Sequence, residues 1–301
     1  MLTPSSAPLS LTPVRETVRL AVTPDGVELF VRDWTPELEE ERRGAILLVP
    51  GLGEHSGRYQ GLAGFLGELG YLVRAYDHAG FGRSGGPRGH IRHPLALVDD
   101  LAAVFEDFDA ALRAADRGAP PPLLLGHSLG GCVVARALTA GRVHPSAAVL
   151  SSPAVGQTVS GPRGVALWAA ELLPHWLTLP NGLPKSGLSH DPAVAAAVRA
   201  DPFCHDRISA GLARFIFTEG ERAVLDAGRV PCPVLLLIAG ADRLVDPDGA
   251  RRFGAALPKA TTQVTEFPGA YHELFNEAEP TRASVLDTLR VWLAGLERGS
   301  R

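Results

Sequence analysis

The chain has 301 residues, of which 46% are hydrophobic and 21% charged, and its formal net charge is −4. This length suits one large α/β domain, with or without an insertion, and the lack of any lysine or arginine block argues against nucleic acid as a partner. The three cysteines have no paired spacing, which argues against a disulfide framework and favours a reducing compartment: Cys132, Cys204 and Cys232.

The most apolar stretch of the chain does not predict a membrane span. Residues 164–180 are interrupted by Glu171, Pro174 and His175, whereas a span requires roughly 18 apolar residues in a row. Residues 1–11 lack a basic leader followed by an apolar run and are predicted to form a loose tail. We therefore expect a soluble, cytoplasmic protein.

Strand and helix patterns alternate along most of the chain. Residues 17–22 and 27–34 alternate in side-chain character around a Pro-Asp-Gly turn, which predicts an antiparallel hairpin. Compact apolar runs, typical of strands buried on both faces, follow at 45–49, 71–76, 122–126, 147–152 and 233–240. Helical patterns lie between them, including 95–115 and 129–140. This order predicts a mostly parallel sheet with helices on both faces.

Residues 154–228 break the alternation. This stretch has no strong strand run, contains several prolines, and includes a helical piece at 191–203 that is bounded by Asp-Pro pairs. We expect it to form a helical cap inserted over an α/β core made of residues 12–153 and 229–298.

The string Gly126-His127-Ser128-Leu129-Gly130 stands where a buried strand gives way directly to a helix. Such a turn lifts the serine hydroxyl above the sheet edge, aims a helix N-terminus at it, and requires glycine where the backbone is tight. Ser128 is therefore predicted to be a nucleophile rather than an ordinary turn residue. The side chain of His127 is expected to point away from the site, because successive side chains diverge.

A serine hydroxyl needs a base to take its proton and a carboxylate to orient that base. In α/β-hydrolases these partners follow the serine in the order acid, then histidine. Asp242 follows a strand and a Gly-Ala turn, and His272 follows a further strand and a Pro-Gly turn, so we predict these two. Asp246 is the alternative acid, although the proline after it suits the start of a helix.

Two backbone N–H groups are needed for the oxyanion. One is predicted at Leu129, after the serine, and the other at Leu52, in the turn that follows the run at 45–49. Gly51 and Gly53 allow the backbone to approach closely. A glycine-rich loop without a catalytic role is the alternative.

Two further motifs could suggest a cofactor site, but their surroundings argue against one. Residues 80–85 match G-x-G-x-x-G, but no helix follows and no ribose-binding acid stands at the usual distance, so a nucleotide is not expected. His90 and His93 have no acidic or cysteine partner at a ligand spacing, so no metal is expected either.

From about Thr12 to Leu296 the chain resembles the monoacylglycerol lipase and lysophospholipase branch of the serine α/β-hydrolases. The supporting strings are "GLGEHSGRY" (51–59), "YDHAGFGRSGGPRGH" (76–90), "DDL" (99–101), "GHSLGG" (126–131), "DPAVAAAVRADP" (191–202), "ADRLVDPDGA" (241–250) and "GAYHELFNE" (269–277). The resemblance implies an α/β-hydrolase fold with an eight-stranded sheet, a helical cap between the sixth and seventh strands, and a triad of Ser128, Asp242 and His272. Pro50 stands where this family usually has a histidine before the oxyanion loop.

By the same resemblance, Glu54 and Arg58 would brace the oxyanion loop near the alcohol-side pocket, with a purely structural salt bridge as the alternative. Four apolar residues of the cap recur at roughly helical spacing and either line an acyl-chain tunnel or touch a lipid surface, or they are ordinary packing: Trp168, Leu172, Trp176 and Leu179.

The expected reaction is hydrolysis of carboxylic esters through an acyl-enzyme, with no cofactor. The expected substrates are monoacylglycerols or related single-chain lipid esters. A broad short-chain carboxylesterase is one alternative, and a catalytically silent hydrolase-fold binding protein is another.

Overall fold

The computed structural model describes residues 15–23, 25–36, 43–157 and 177–299. These residues form ten strands: β1 Arg15–Val22, β2 Glu28–Thr35, β3 Gly44–Val49, β4 Tyr71–Tyr76, β5 Leu123–His127, β6 Ala148–Ser151, β7 Thr178–Pro180, β8 Arg207–Ser209, β9 Val234–Ala239 and β10 Thr262–Phe267. They also form seven α-helices: α1 Gln60–Glu68, α2 Ala96–Ala115, α3 Leu129–Thr139, α4 Pro192–Ala200, α5 Ala210–Leu225, α6 Pro247–Ala256 and α7 Thr281–Gly299. None of these helices combines the length and the apolar character that a bilayer crossing requires.

Eight of the strands form one sheet in the order β1-β2-β4-β3-β5-β6-β9-β10. The hairpin predicted at the start of the chain is confirmed, since β1 and β2 pair antiparallel. Strand β2 is also antiparallel to β4, and every later pair in the order is parallel. The prediction of a mostly parallel sheet is therefore confirmed. The carboxyl ends of its parallel strands lie along one edge, where the loops that carry the candidate site emerge.

Successive side chains of a strand point to opposite faces of the sheet. Because both faces are covered, neighbouring residues of one strand are buried in two different hydrophobic cores. In β3, Leu47 belongs to the core that also contains residues of α2 and α3, and Leu48 to the core that contains residues of α1 and α7. The predicted covering of the sheet by helices on both faces is thus confirmed.

The segment between β6 and β9 contains more than helices. Strands β7 and β8 pair antiparallel in a separate two-stranded sheet, within the range that was expected to form a helical cap and to have no strong strand run. Three-residue strands are too short to show a period-two pattern in the sequence. The same range includes α5, whose buried residues Leu212 and Phe215 belong to one core cluster with Leu129 of α3. The boundary at 228 stays a prediction, and the packing of α5 favours an insertion that ends earlier.

Candidate active site

Ser128 occupies a strained turn between β5 and α3. Its backbone dihedrals are φ 55° and ψ −118°, in a region that residues with a Cβ rarely adopt. Three main-chain hydrogen bonds of 3.0 Å hold the turn: the Ser128 N–H donates to the Ser151 carbonyl, and the Ser128 carbonyl accepts from the N–H groups of Cys132 and Ala154. Hydrogen bonds to residues outside the turn therefore fix the position of the serine.

The two glycines that flank the serine have a steric cause. A Cβ on Gly130 would lie 2.0 Å from the Val49 carbonyl oxygen and 2.5 Å from that of Pro50. A Cβ on Gly126 would lie 2.6 Å from the Gly130 carbonyl oxygen. The first turn of α3 thus lies directly against the end of β3, and only glycine permits this approach.

Asp242 and His272 form a buried pair at the ends of β9 and β10. The distance from His272 Nδ1 to Asp242 Oδ2 is 2.6 Å. The other carboxylate oxygen accepts the N–H groups of Leu244 and Val245 at 2.8 and 3.0 Å. Burial lowers the pKa of His272, but the charge and hydrogen bond of Asp242 outweigh it and hold that pKa above its usual value. Burial likewise opposes ionisation of Asp242, but His272 and the two N–H donors hold its pKa below the usual range.

Asp246, the alternative acid, lies at the start of α6. Its carboxylate accepts the N–H of Asp248 at 3.0 Å and so caps that helix, with Pro247 in the first turn. Its geometry is that of a helix cap, as the Asp-Pro pair indicates.

The predicted catalytic residues line a common cavity of about 850 Å³. Ser128, Asp242 and His272 all line it, together with Leu52 and Leu129. Much of its apolar wall comes from the segment between β6 and β9, including Leu179, Leu183, Leu188, Val198, Ile208 and Ile216. Its volume and mixed lining are typical of small-molecule sites.

The Leu52 and Leu129 amides are free to act as donors. Within the described ranges, neither N–H group donates a hydrogen bond. The residues around Leu52 are fixed: the N–H of Gly51 donates to Glu54 Oε1, and the Pro50 carbonyl accepts from His78 Nε2 at 3.1 Å. Gly53, on the other side, has φ 76° and would place a Cβ 2.2 Å from the His205 carbonyl oxygen.

A family model described as serine aminopeptidase, S33, matches residues 40–279. The chain belongs to the S33 family. A monoacylglycerol lipase of Mycolicibacterium smegmatis is 36% identical over 279 residues, covering 89% of this chain and 93% of that protein. A monoglyceride lipase of Rattus norvegicus is 31% identical, covering 91% of this chain and 89% of that protein. A crystal structure of Paleococcus ferrophilus monoacylglycerol lipase matches with a TM-score of 0.78 at 35% identity, covering 89% of this chain and 99% of that one. The α/β-hydrolase fold and the family resemblance predicted from the sequence are confirmed.

In this S33-family chain, Glu54 and Arg58 belong to a buried ionic network that borders the cavity. Arg58 Nη1 lies 2.7 Å from Glu54 Oε2, and its two terminal nitrogens each lie 2.8 Å from an oxygen of Glu273. The Tyr59 hydroxyl donates to Glu54 as well. Burial opposes ionisation of Glu54, but the charge of Arg58 and the hydrogen bonds from Tyr59 and Gly51 together lower the pKa of that carboxyl. Because Glu54 also accepts the Gly51 N–H, the network is joined to the turn that contains Leu52.

Sequence reasoning missed Glu273, the bidentate partner of Arg58. The available signal was a charged residue directly after His272, in the loop that follows β10. Glu273 has an exposed fraction of 4%, and a carboxylate so buried is almost always paired.

The expectation that the His127 side chain points away from the site is wrong. Its ring centroid lies 4.8 Å from that of His272, and the side chain lines the cavity instead of pointing away. The positive φ at Ser128 interrupts the strand alternation on which the prediction depended. Burial and the neighbouring His272 lower the pKa of His127 to about 4, so this ring is neutral at pH 7.

Trp168, Leu172 and Trp176 lie outside the described residues. Leu179 belongs to β7, so the expected helical spacing is wrong for this residue, although it lines the cavity.

The glycine motif at 80–85 surrounds a carboxylate. Asp77 is fully buried and accepts the N–H groups of Ser56 and Arg83 at 2.7 and 2.8 Å. A Cβ on Gly82 would lie 2.1 Å from Asp77 Oδ2, so this glycine is required by the loop itself.

One group of three metal-ligating side chains occurs among the described residues, formed by His55, Asp201 and Cys204. His55 Nδ1 accepts the Gly57 N–H at 3.1 Å, so in the neutral ring the proton is on Nε2, which lies 2.8 Å from Asp201 Oδ2. A metal on Nε2 would move that proton to Nδ1, against the Gly57 N–H. We therefore assign the group as a structural hydrogen bond between two loops.

Proposed function

We propose that the protein is a serine hydrolase that cleaves carboxylic esters through an acyl-enzyme, with monoacylglycerols or similar single-chain lipid esters as substrates. One observation carries this proposal: Asp242 and His272 are hydrogen-bonded to each other, and both line the same cavity as Ser128. The monoacylglycerol lipases among the relatives support the substrate class.

In the proposed mechanism Ser128 is the nucleophile and His272 is its base. Nδ1 of His272 is held by Asp242, so Nε2 takes the Ser128 proton as the hydroxyl attacks the ester carbonyl. Asp242 orients the ring and stabilises its charged form, which agrees with the raised pKa of His272. The protonated ring then donates to the leaving alcohol. A water molecule repeats the sequence on the acyl-enzyme and releases the carboxylic acid.

The oxyanion of each tetrahedral intermediate is held by the N–H groups of Leu52 and Leu129. The positive end of the α3 helix dipole points to the same place and favours negative charge there. The network of Glu54, Arg58 and Glu273 keeps the Leu52 turn in position and supplies polar groups for the glycerol moiety.

The apolar wall suits an acyl chain. Each buried methylene contributes about 0.8 kcal/mol of transfer free energy, so binding is expected to strengthen with chain length until the cavity is filled. Two leucines of this wall are markedly exposed, Leu179 at 47% and Leu183 at 38%. They support a transient contact of the cap with a membrane or micelle from which the lipid enters. Three free cysteines support a cytoplasmic location.

The test is a panel of p-nitrophenyl esters of rising chain length, together with monoacylglycerols, assayed with the wild type and Ser128→Ala. A fluorophosphonate should abolish hydrolysis and add its mass to Ser128, and long-chain monoacylglycerols should be cleaved best. Equal rates at all chain lengths would indicate a broad carboxylesterase. No hydrolysis and no adduct would indicate a silent binding protein.

A further inference from the structure

Two non-glycine residues in the described ranges have positive φ, Ser128 at 55° and Ser152 at 44°. They follow β5 and β6, which are neighbours in the sheet. A residue with a Cβ adopts such a conformation at a cost, and it persists where the surroundings impose it, most often at functional sites. The strain at Ser128 belongs to the nucleophile turn. Ser152 has no such explanation.

The side chain of Ser152 reaches the main chain of the proposed catalytic base. Its hydroxyl donates to the His272 carbonyl oxygen at 2.9 Å, and only 3% of Ser152 is exposed. The Ser152 N–H donates to the Leu237 carbonyl in β9 at 2.9 Å, so the central sheet fixes the serine itself. A rigid strand end therefore holds a loop residue 120 positions later in the chain.

The other main-chain hydrogen bonds of His272 itself are longer. Its N–H donates to the Gly187 carbonyl, in the inserted segment, at 3.4 Å, and its carbonyl also accepts the N–H of Leu274 at 3.2 Å. The N–H of the next residue, Glu273, donates to the Leu188 carbonyl of the inserted segment at 2.7 Å. Among the residues that the structure describes, the side chain of His272 makes one hydrogen bond, from Nδ1 to Asp242. The Ser152 hydroxyl thus makes the shortest hydrogen bond to the main chain of His272 itself, and it links the His272 carbonyl to the sheet. The direction of this carbonyl constrains the direction of the imidazole.

We propose that Ser152 is a positioning residue that holds His272 between Asp242 and Ser128, and that its left-handed backbone is retained because it aims the hydroxyl at the His272 carbonyl. This inference rests on the proposed function. Catalytic geometry tolerates little displacement, since a shift of about 1 Å in a reacting group can cost about a hundredfold in rate.

The test compares Ser152→Ala, which removes the hydroxyl and keeps the Cβ, with Ser152→Gly, which removes both the hydroxyl and the strain. Ser146→Ala is the matched control, because the Ser146 hydroxyl is buried just before β6 and has no hydrogen-bond partner among the described residues. The concentration of active sites is measured by fluorophosphonate titration of Ser128, so that misfolded protein is excluded when kcat is calculated. We expect both Ser152 variants to lose about tenfold in kcat with little change in KM, the scale of one lost hydrogen bond in a transition state.

Two readouts separate positioning from a merely structural role. If the imidazole is held less firmly against Asp242, its pKa falls, and the acid limb of kcat/KM moves to lower pH. The other ionisable groups that act on His272 are unchanged in these variants: Glu54, Glu273 and His127. The low-field proton NMR signal of the His272 Nδ1–H should also shift or broaden.

An unchanged kcat, acid limb and Nδ1–H signal in both variants would overturn the inference. Wild-type kcat in Ser152→Gly alone would also overturn it, because the hydroxyl would then have no role. A wild-type protein that cleaves no ester would instead refute the proposed function, while the NMR comparison would still test the contact between Ser152 and His272.

Discussion

His78 holds Pro50 at the entrance of the oxyanion turn, by a hydrogen bond of 3.1 Å from Nε2 to the Pro50 carbonyl oxygen. A carbonyl only accepts, so Nε2 carries the proton. The ring is fully buried between Tyr76 and Phe81, at centroid distances of 5.0 and 6.0 Å, and burial lowers its pKa to about 4. The neutral His78 thus supports, from the loop after β4, a turn in which Pro50 replaces the histidine usual in the family that the sequence resembles.

We expect His78→Phe to lower kcat about tenfold, less than the roughly 10²- to 10³-fold that loss of an oxyanion donor itself costs. The phenyl ring fills the space but leaves the Pro50 carbonyl without its donor, which should destabilise the fold by about 1–3 kcal/mol. Steady-state kinetics and urea unfolding measure both effects. The exposed His144, changed to Phe, is the control, and equal behaviour of the two variants would contradict the assignment.

The buried His78 should also shape the pH dependence of stability. Its pKa is about 4 in the folded protein and near 6.5 when unfolded, so between these values the unfolded chain binds the extra proton. The free energy of unfolding should therefore fall as the pH drops from 6.5 to 4. Urea titrations across this window should give a smaller fall for His78→Phe, and an identical fall would show that His78 is not the cause.

Asp242→Asn should reduce kcat by about 10⁴-fold, because the neutral amide no longer fixes the tautomer or stabilises the charged ring of His272. Asp246→Asn is the matched change at the alternative acid. Asparagine is an equally good helix cap, so this variant should retain both activity and stability. If Asp246→Asn were the inactive variant and Asp242→Asn the active one, Asp246 would be the acid of the triad.

Gly130→Ala should destabilise the protein by at least about 3 kcal/mol and abolish fluorophosphonate labelling, since the new methyl group would overlap the Val49 carbonyl. Gly61 lies exposed in α1 with open space around a built Cβ. Gly61→Ala should therefore stabilise the fold by about 0.5–1 kcal/mol. Thermal unfolding of both variants tests the contrast, and similar melting temperatures would contradict it.

Arg58→Met should cost about 3–5 kcal/mol of stability, because it leaves the Glu54 and Glu273 carboxylates buried without their cation. Adding Glu273→Gln should restore part of this loss. Arg251→Met, at the exposed pair with Glu266, should change stability by less than about 1 kcal/mol. If Arg58→Met is as mild as the surface variant, the network does not brace the loop.

The sequence alone determined the features that depend on neighbouring residues. Apolar runs without alternation predicted the buried parallel strands, and the glycines around Ser128 predicted a tight strand-to-helix turn, because such patterns express local steric and hydrophobic demands. The Asp-Pro pair at 246 and 247 predicted a helix start for the same reason, and α6 begins there.

Only the tertiary structure decided which distant groups meet. Arg58 pairs with Glu273 across 215 positions, and the hydroxyl of Ser152 reaches a loop after β10. Such contacts depend on strand order, register and loop direction, to which the whole chain contributes, so the spacing of residues in the sequence does not encode them. His127 shows the same limit, since one strained backbone turn brought its ring to the site.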